Sequence, residues 1–332
     1  MSLKRAIDYV TVLPHHLLMR VFNRSIWHIG DKAALPFPAL ILAAVILVLT
    51  VALVPAVAGC SAGDDGADLS QSTVTIEASQ SIEQEAAAAI AGPAGAADSP
   101  SYSFAVCGDN RSMGIQNGVL GRIVESARSR GADFIVDVGD ITENGSIEQI
   151  ALYRDFIESA GIRFYTVPGN HDLGPGLDAR YFQDMIGPRY YGFDYAGDHF
   201  LVVDNADTRV GIDEAQLAWL TDDLENNSGK DRLFVFAHVP MNDSAGDHVE
   251  FAGERTTSPE LRFLEAARAQ ENLAAFFFGH VHGYIAYRIG DIDAFVTGGG
   301  GAPLNPAPGI GFYHYLLVTV SPGGVTVEVV RV

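Results

Sequence analysis

Five short polar clusters in this sequence each follow an apolar run, and two Asp, one Asn and four His among their residues could be presented to a common point. Cys107 leads into Gly108-Asp109-Asn110-Arg111, Val138 into Gly139-Asp140, and Val167-Pro168 into Gly169-Asn170-His171-Asp172. Ala237 precedes His238, and Phe278 precedes Gly279-His280-Val281-His282. Imidazole, carboxylate and carboxamide oxygen suit Zn, Mn, Fe or Co better than Ca or Mg, and no thiolate is on offer. Even six ligands from such a set are too many for one site that keeps an open position. They suit two ions bridged by a carboxylate, about 3.5–4 Å apart. His280 and His282 would share a face on a strand; from a loop they could turn to two adjacent ions.

The order and spacing of these blocks resemble the calcineurin-like metallophosphoesterase superfamily, whose blocks run Asp-x-His, Gly-Asp, Gly-Asn-His-Asp/Glu, His and Gly-His-x-His. The resemblance covers about residues 103–300. It implies that Asp109 binds a first metal with His282, that Asp140 bridges both metals, and that Asn170, His238 and His280 bind the second. His171 is not a ligand in this pattern and would act near the scissile phosphate as acid or charge stabiliser. The implied chemistry is hydrolysis of a phosphomonoester or phosphodiester by in-line attack of hydroxide carried by two divalent ions. Their identity among Mn, Fe, Zn and Co is left open.

The first block departs from the family, with Arg111 where a His is usual. An Arg cannot release its proton to become a ligand, so water would fill the place and the first metal would bind more weakly. Arg111 would then either face the substrate, where its fork matches phosphate oxygens, or pair structurally with a nearby carboxylate. Asp172 is open in the same way, as a carboxylate orienting a His or as a turn residue.

Positioning such loops takes strands that end together. Tyr102–Cys107, Phe134–Val138, Phe164–Val167, Phe200–Val203, Leu233–Ala237 and Ala274–Phe278 read as buried strands. Helical spacing marks Val119–Arg130, Ile147–Ala160, Glu214–Leu224 and Pro259–Ala269, the third with Leu217, Leu220 and Leu224 on one face. After His282 the pattern is strands only. Alternation followed by a strand-only tail predicts an α/β domain of mixed sheets packed on each other. The resemblance sharpens this to an αββα sandwich, two sheets face to face with helices outside. In open α/β sheets ligands bind beyond the carboxyl ends of the strands, where the five clusters would sit.

Other residues have weaker claims. His248 and Arg255 lie in the long polar loop Met241–Thr257 after His238 and are candidates for substrate contact. His199, in Gly197-Asp198-His199, reads as a surface turn residue, and His314 as a core or edge histidine. Cys107 reads as a small buried apolar residue.

The chain has 332 residues and a formal charge of −20, unevenly spread. An acidic body without a basic run excludes nucleic-acid binding of the usual electrostatic kind, but not a small phosphorylated substrate. Residues 1–38 read as a cytoplasmic segment, and 39–59 are 21 residues without a charge, long enough to span a membrane. All five basic residues of the first sixty precede that run, which places the C-terminal body on the outer face. Val57-Ala58-Gly59-Cys60 resembles a bacterial lipoprotein signal with Cys60 as the lipidated residue. The alternative is an uncleaved single-span anchor. Residues 60–100 lack aromatics and read as an acidic linker, with a short helix near 81–91 compatible with its composition. Residues 101–332 form the expected metallophosphoesterase domain. The competing reading is a catalytically weak or inactive surface module that holds a phosphorylated ligand.

Overall fold

The computed structural model describes residues 88–90, 100–243 and 256–332. Cys60, the apolar segment 39–59, His248 and Arg255 lie outside the described residues. Among the described residues no helix is long and apolar enough to cross a membrane.

Two six-stranded mixed sheets make up the architecture. The first runs β1 (Ala88–Ile90), β12 (Gly324–Arg331), β11 (His314–Ser321), β2 (Tyr102–Cys107), β3 (Phe134–Asp137) and β4 (Arg163–Thr166). The second runs β5 (Tyr191–Tyr195), β6 (Asp198–Val202), β7 (Leu233–Phe236), β8 (Leu273–Phe278), β10 (Ile292–Thr297) and β9 (Tyr284–Ile289). β2, β3 and β4 are parallel, as are β6, β7, β8 and β10. Of these, β2, β3, β6, β7 and β8 have no exposed position, as parallel strands covered on both sides require. β1 falls within the segment read as linker. It pairs antiparallel with β12, so backbone pairing at the sheet edge gives a strand where the alanine-rich composition suggested a helix.

Phenylalanines fill the space between the sheets. Phe104 of β2 stacks on Phe134 at 5.3 Å and meets Phe200 and Phe234 of the opposite sheet edge-on at 5.3 and 5.4 Å. Outside the first sheet, α2 (Val119–Ser129) and α3 (Ile147–Ser159) bury Leu120, Ile123, Ile150 and Tyr153 over Ala105, Cys107 and Ile135. Outside the second, α5 (Glu214–Asn226) and α6 (Ser258–Arg268) bury Leu217, Leu220, Leu224 and Phe263 over Leu201, Val235 and Phe276. The described residues also include two short helices, α1 (Met113–Gln116) and α4 (Arg180–Met185). The result is two mixed sheets face to face with helices outside each.

One histidine departs from the sequence reading. His199, expected on a surface turn, is buried in β6. Its Nδ1 lies 2.7 Å from Asp194 and its Nε2 2.8 Å from Asp223 of α5. Burial alone would lower its pKa, but the two carboxylates outweigh it and the ring is held protonated above its ordinary range. A histidine with a raised folded pKa stabilises most below its unfolded value of about 6.5, and the contribution fades as pH rises through the folded pKa. His199→Gln should therefore destabilise the fold by about 1–3 kcal/mol in urea unfolding near pH 5.5, with a smaller loss above pH 8. An equal loss at both pH values would show that the ring acts through packing alone.

Candidate functional site

The five clusters converge because parallel strands of both sheets end at the same edge. Beyond β2 and β3 the pairing continues into the loops. The Asp109 amide donates to the Gly139 carbonyl at 2.8 Å, and the Arg111 amide to the Asp140 carbonyl at 2.7 Å. These contacts hold Asp109 and Asp140 with φ of 62° and 55°, and His280 after β8 has φ of 73°. Such left-handed backbone costs a non-glycine residue about 1–3 kcal/mol and persists only where its surroundings over-determine it. Two glycines let the loops close. A Cβ on Gly169 would fall 2.1 Å from the Asp140 nitrogen, and one on Gly279 would fall 2.7 Å from Asp109 Oδ2.

Two groups of ligand atoms result, with Asp140 between them. In the first, Asp109, Asp140 and His282 offer atoms within 4.8 Å of one another. His282 Nδ1 donates to the Pro303 carbonyl at 2.7 Å, which turns Nε2 toward Asp109. That Nε2 is buried and has no hydrogen-bond partner. In the second, Asn170 Oδ1 lies 3.0 Å from both His238 Nε2 and His280 Nδ1. His238 Nε2 is also 3.2 Å from Asp140 Oδ1, while its Nδ1 donates to the Val138 carbonyl at 2.8 Å.

The electrostatics ask for cations. Burial lowers the pKa of His238, His280 and His282, the second to about 3, so all three rings are neutral near pH 7. Burial and the neighbouring Asp140 push Asp109 well above the usual carboxylate range. Neutral imidazoles, two of them with Nδ1 fixed by a backbone carbonyl, beside two buried carboxylates, are the donor set of a divalent metal centre. The unpartnered Nε2 of His282 fits the same occupant. Asp109, Asp140 and His282 could hold one ion, and Asp140, Asn170, His238 and His280 a second.

Arg111 lies against this centre. Its Nε and one terminal nitrogen are each 3.2 Å from Asp140 Oδ2, and the other terminal nitrogen is 3.8 Å from Glu143. The guanidinium is thus paired with the carboxylate shared by both ligand groups. His171 donates from Nδ1 to the Glu143 carbonyl at 2.7 Å, and its amide donates to Asp140 Oδ1 at 2.9 Å. Asp172 is a turn residue rather than a partner for a histidine. It accepts from the amides of Gly169 at 2.8 Å and Thr142 at 2.8 Å, tying the loops after β4 and β3 together.

Two residues behind the site escaped the sequence reading. Asp137, inside the apolar run Phe134–Val138, accepts from Asn110 at 3.1 Å and Tyr153 at 3.0 Å. Burial pushes it up to about 7. A carboxylate in a fully buried strand was the available signal. Asn205 accepts from the His238 amide at 3.1 Å and donates to Glu260 at 3.2 Å. Glu260 also closes the capping box of α6 with Thr257, so the helix start and the His238 loop are braced through one side chain.

Residues 102–284, more than half of the chain, match the model of the calcineurin-like phosphoesterases. A probable glycerophosphodiester phosphodiesterase of Arcobacter nitrofigilis is 26% identical over 163 residues, 45% of this chain and 56% of that protein. The chain thus matches little more than half the length of this relative. A probable cyclic nucleotide phosphodiesterase of Vesicomyosocius okutanii is 23% identical over 213 residues, 63% of this chain and 88% of that protein. Among solved structures, the purple acid phosphatase of yellow lupin shares the fold at 18% identity and a TM-score of 0.55, covering 71% of this chain and 52% of its own. With the family's blocks gathered at one edge of the sandwich and its model matched across most of the body, this chain belongs to the calcineurin-like phosphoesterases.

Proposed function

We propose that the chain is a metal-dependent phosphoesterase that hydrolyses a small phosphodiester outside the cytoplasmic membrane. The observation that carries this reading is the placement of Asp140, whose carboxylate lies between the Asp109–His282 group and the Asn170–His238–His280 group. The phosphodiesterase names of both relatives support a diester over a monoester. When bound, two divalent ions would lower the pKa of a water and neutralise charge on the phosphoryl group. The neutral rings of His238, His280 and His282 point one nitrogen each into the centre and keep the other on a protein partner or outside it. His171, with Nδ1 committed to Glu143, presents Nε2 as the atom that exchanges a proton with the ester oxygen. Arg111 holds Asp140 with two nitrogens. Its contact with Glu143 is the longer one, so that terminal nitrogen is the one able to turn to a phosphoryl oxygen. The uncharged run 39–59 or a lipidated Cys60 would tether the body to the outer face of the membrane, as the distribution of basic residues supports.

A second reading, a surface module that binds a phosphorylated ligand without turnover, draws on the same Arg111. A guanidinium seated on Asp140 Oδ2 competes with cations for that oxygen.

Two experiments separate these readings. The purified chain loaded with Mn or Zn should hydrolyse bis(4-nitrophenyl) phosphate. Chelation should abolish the activity, and Asp140→Asn should lower kcat/KM by about a hundredfold or more. Hydrolysis that survives either treatment would sink the metal-dependent reading, and no hydrolysis with any of Mn, Fe, Zn or Co would favour the binding module. Arg111→Ala should lower kcat/KM by about ten- to a hundredfold, as expected for a lost charge-assisted hydrogen bond, with partial recovery in Arg111→Lys. If kcat/KM stays within twofold while the thermal midpoint drops, Arg111 is structural.

A further inference from the structure

A cavity of about 590 Å³ lies beside the metal-ligand cluster and takes no part in the arrangement described so far. It is within the size range of small-molecule sites. Its walls are the segments that brace the site: Leu173 directly follows Asp172, and Asp204 precedes Asn205, which holds the His238 amide. The cavity therefore adjoins the loops that carry Asn170 and that brace His238.

The lining is selective. Asp204, Asp207 and Asp213 line it with Arg189, and Asp207 is paired at 3.0 Å with Arg209, so three carboxylates meet two cations, a balance that disfavours a second phosphate or any other anion. Arg189 pairs with Asp204 at 2.6 Å through a terminal nitrogen, and its Nε is buried without a hydrogen-bond partner. Burial lifts Asp204 to about 6, below neutrality, so its carboxylate remains an acceptor at pH 7. A hydroxyl group answers both neighbours at once, accepting from a terminal nitrogen of Arg189, whose side chain is 28% exposed, and donating to Asp204. Tyr190 lines the same space, and its ring is 5.1 Å from that of Trp219, which steadies it. An aromatic face beside a carboxylate and a guanidinium suits a ring that is apolar on its C–H face and hydroxylated at its edge. Leu173, Leu177, Pro188 and Val210 supply the remaining apolar wall.

We propose that this cavity is the subsite for one ester group of the substrate, and that the group is an uncharged, hydroxyl-rich ring such as a sugar. The inference rests on the phosphodiesterase reading and narrows it.

The test compares two diesters that release the same chromophore. One carries glucose, linked through its 6-hydroxyl, on a 4-nitrophenyl phosphate; the other carries cyclohexylmethyl, an isostere without hydroxyls. Wild-type protein should favour the glucose diester by at least about tenfold in kcat/KM, since a site built to bond hydroxyls rejects the analogue lacking them. Two variants should bring that ratio close to one. Arg189→Lys keeps the charge beside Asp204 but removes the second terminal donor of the guanidinium, and Val210→Trp fills the cavity from a position that is 47% exposed, where folding is tolerant. Equal use of both diesters by the wild type overturns the subsite and leaves the phosphodiesterase reading standing. So does a preference that neither variant changes, or a stronger preference for a choline diester of the same design. Hydrolysis of none of these diesters overturns the phosphodiesterase reading and the subsite with it.

Discussion

Asp109 and Asp140 place two carboxylates in one fully buried pocket, and much of the surrounding structure is a response to that charge. Burying ions costs several kcal/mol each unless partners compensate. One guanidinium, Arg111, is within reach, while the three histidine rings are held neutral by burial. Arg111 alone leaves that charge incompletely balanced, a deficit that divalent ions would fill with the ring nitrogens as their ligands. Arg111 fits the same balance, since its guanidinium puts a permanent positive charge on Asp140 Oδ2.

The fold supports this pocket by rigidity. Parallel strands from two sheets end at one edge, and a core of stacked and edge-on phenylalanines fixes the sheets against each other. Asp109, Asp140 and His280 are then held in left-handed backbone that isolated residues avoid. Ladder hydrogen bonds running past the strand ends, with glycines at the closest approaches, stabilise that conformation. Behind it stand carboxylates and amides that are not themselves ligand candidates. Asp137 braces Asn110, Asp172 joins two loops, and Asn205 links His238 to the start of α6.

Most of this arrangement was legible where the signal is local. Runs such as Phe134–Val138 and Ala274–Phe278 are apolar without alternation because both faces are covered, and each ends in a glycine that marks the turn into the site. The ligand blocks follow from those strand ends. What escaped depends on partners distant in sequence. His199 sits after a Gly-Asp pair that reads as a turn, yet β6 begins at Asp198, and its carboxylate partners come from β5 and α5. Arg189 and Asp204 are ordinary residues in isolation and meet only when the chain is folded. Ala88–Ile90 has the composition of a linker, and only the free edge of β12 makes it a strand. Asp137 was visible as a lone carboxylate in an apolar strand, but its three-way bracing of Asn110, Tyr153 and Gly139 was not.

The central claim is that Asp140 is shared by two metal ions with Arg111 beside it. Anomalous X-ray scattering from crystals of the Mn- or Zn-loaded protein tests it most directly. Two peaks per chain are expected on either side of Asp140, about 3.5–4 Å apart. One should lie against Asp109 and His282, the other against Asn170, His238 and His280, with the Arg111 guanidinium still on the shared carboxylate. A single peak, or peaks away from these residues, would contradict it.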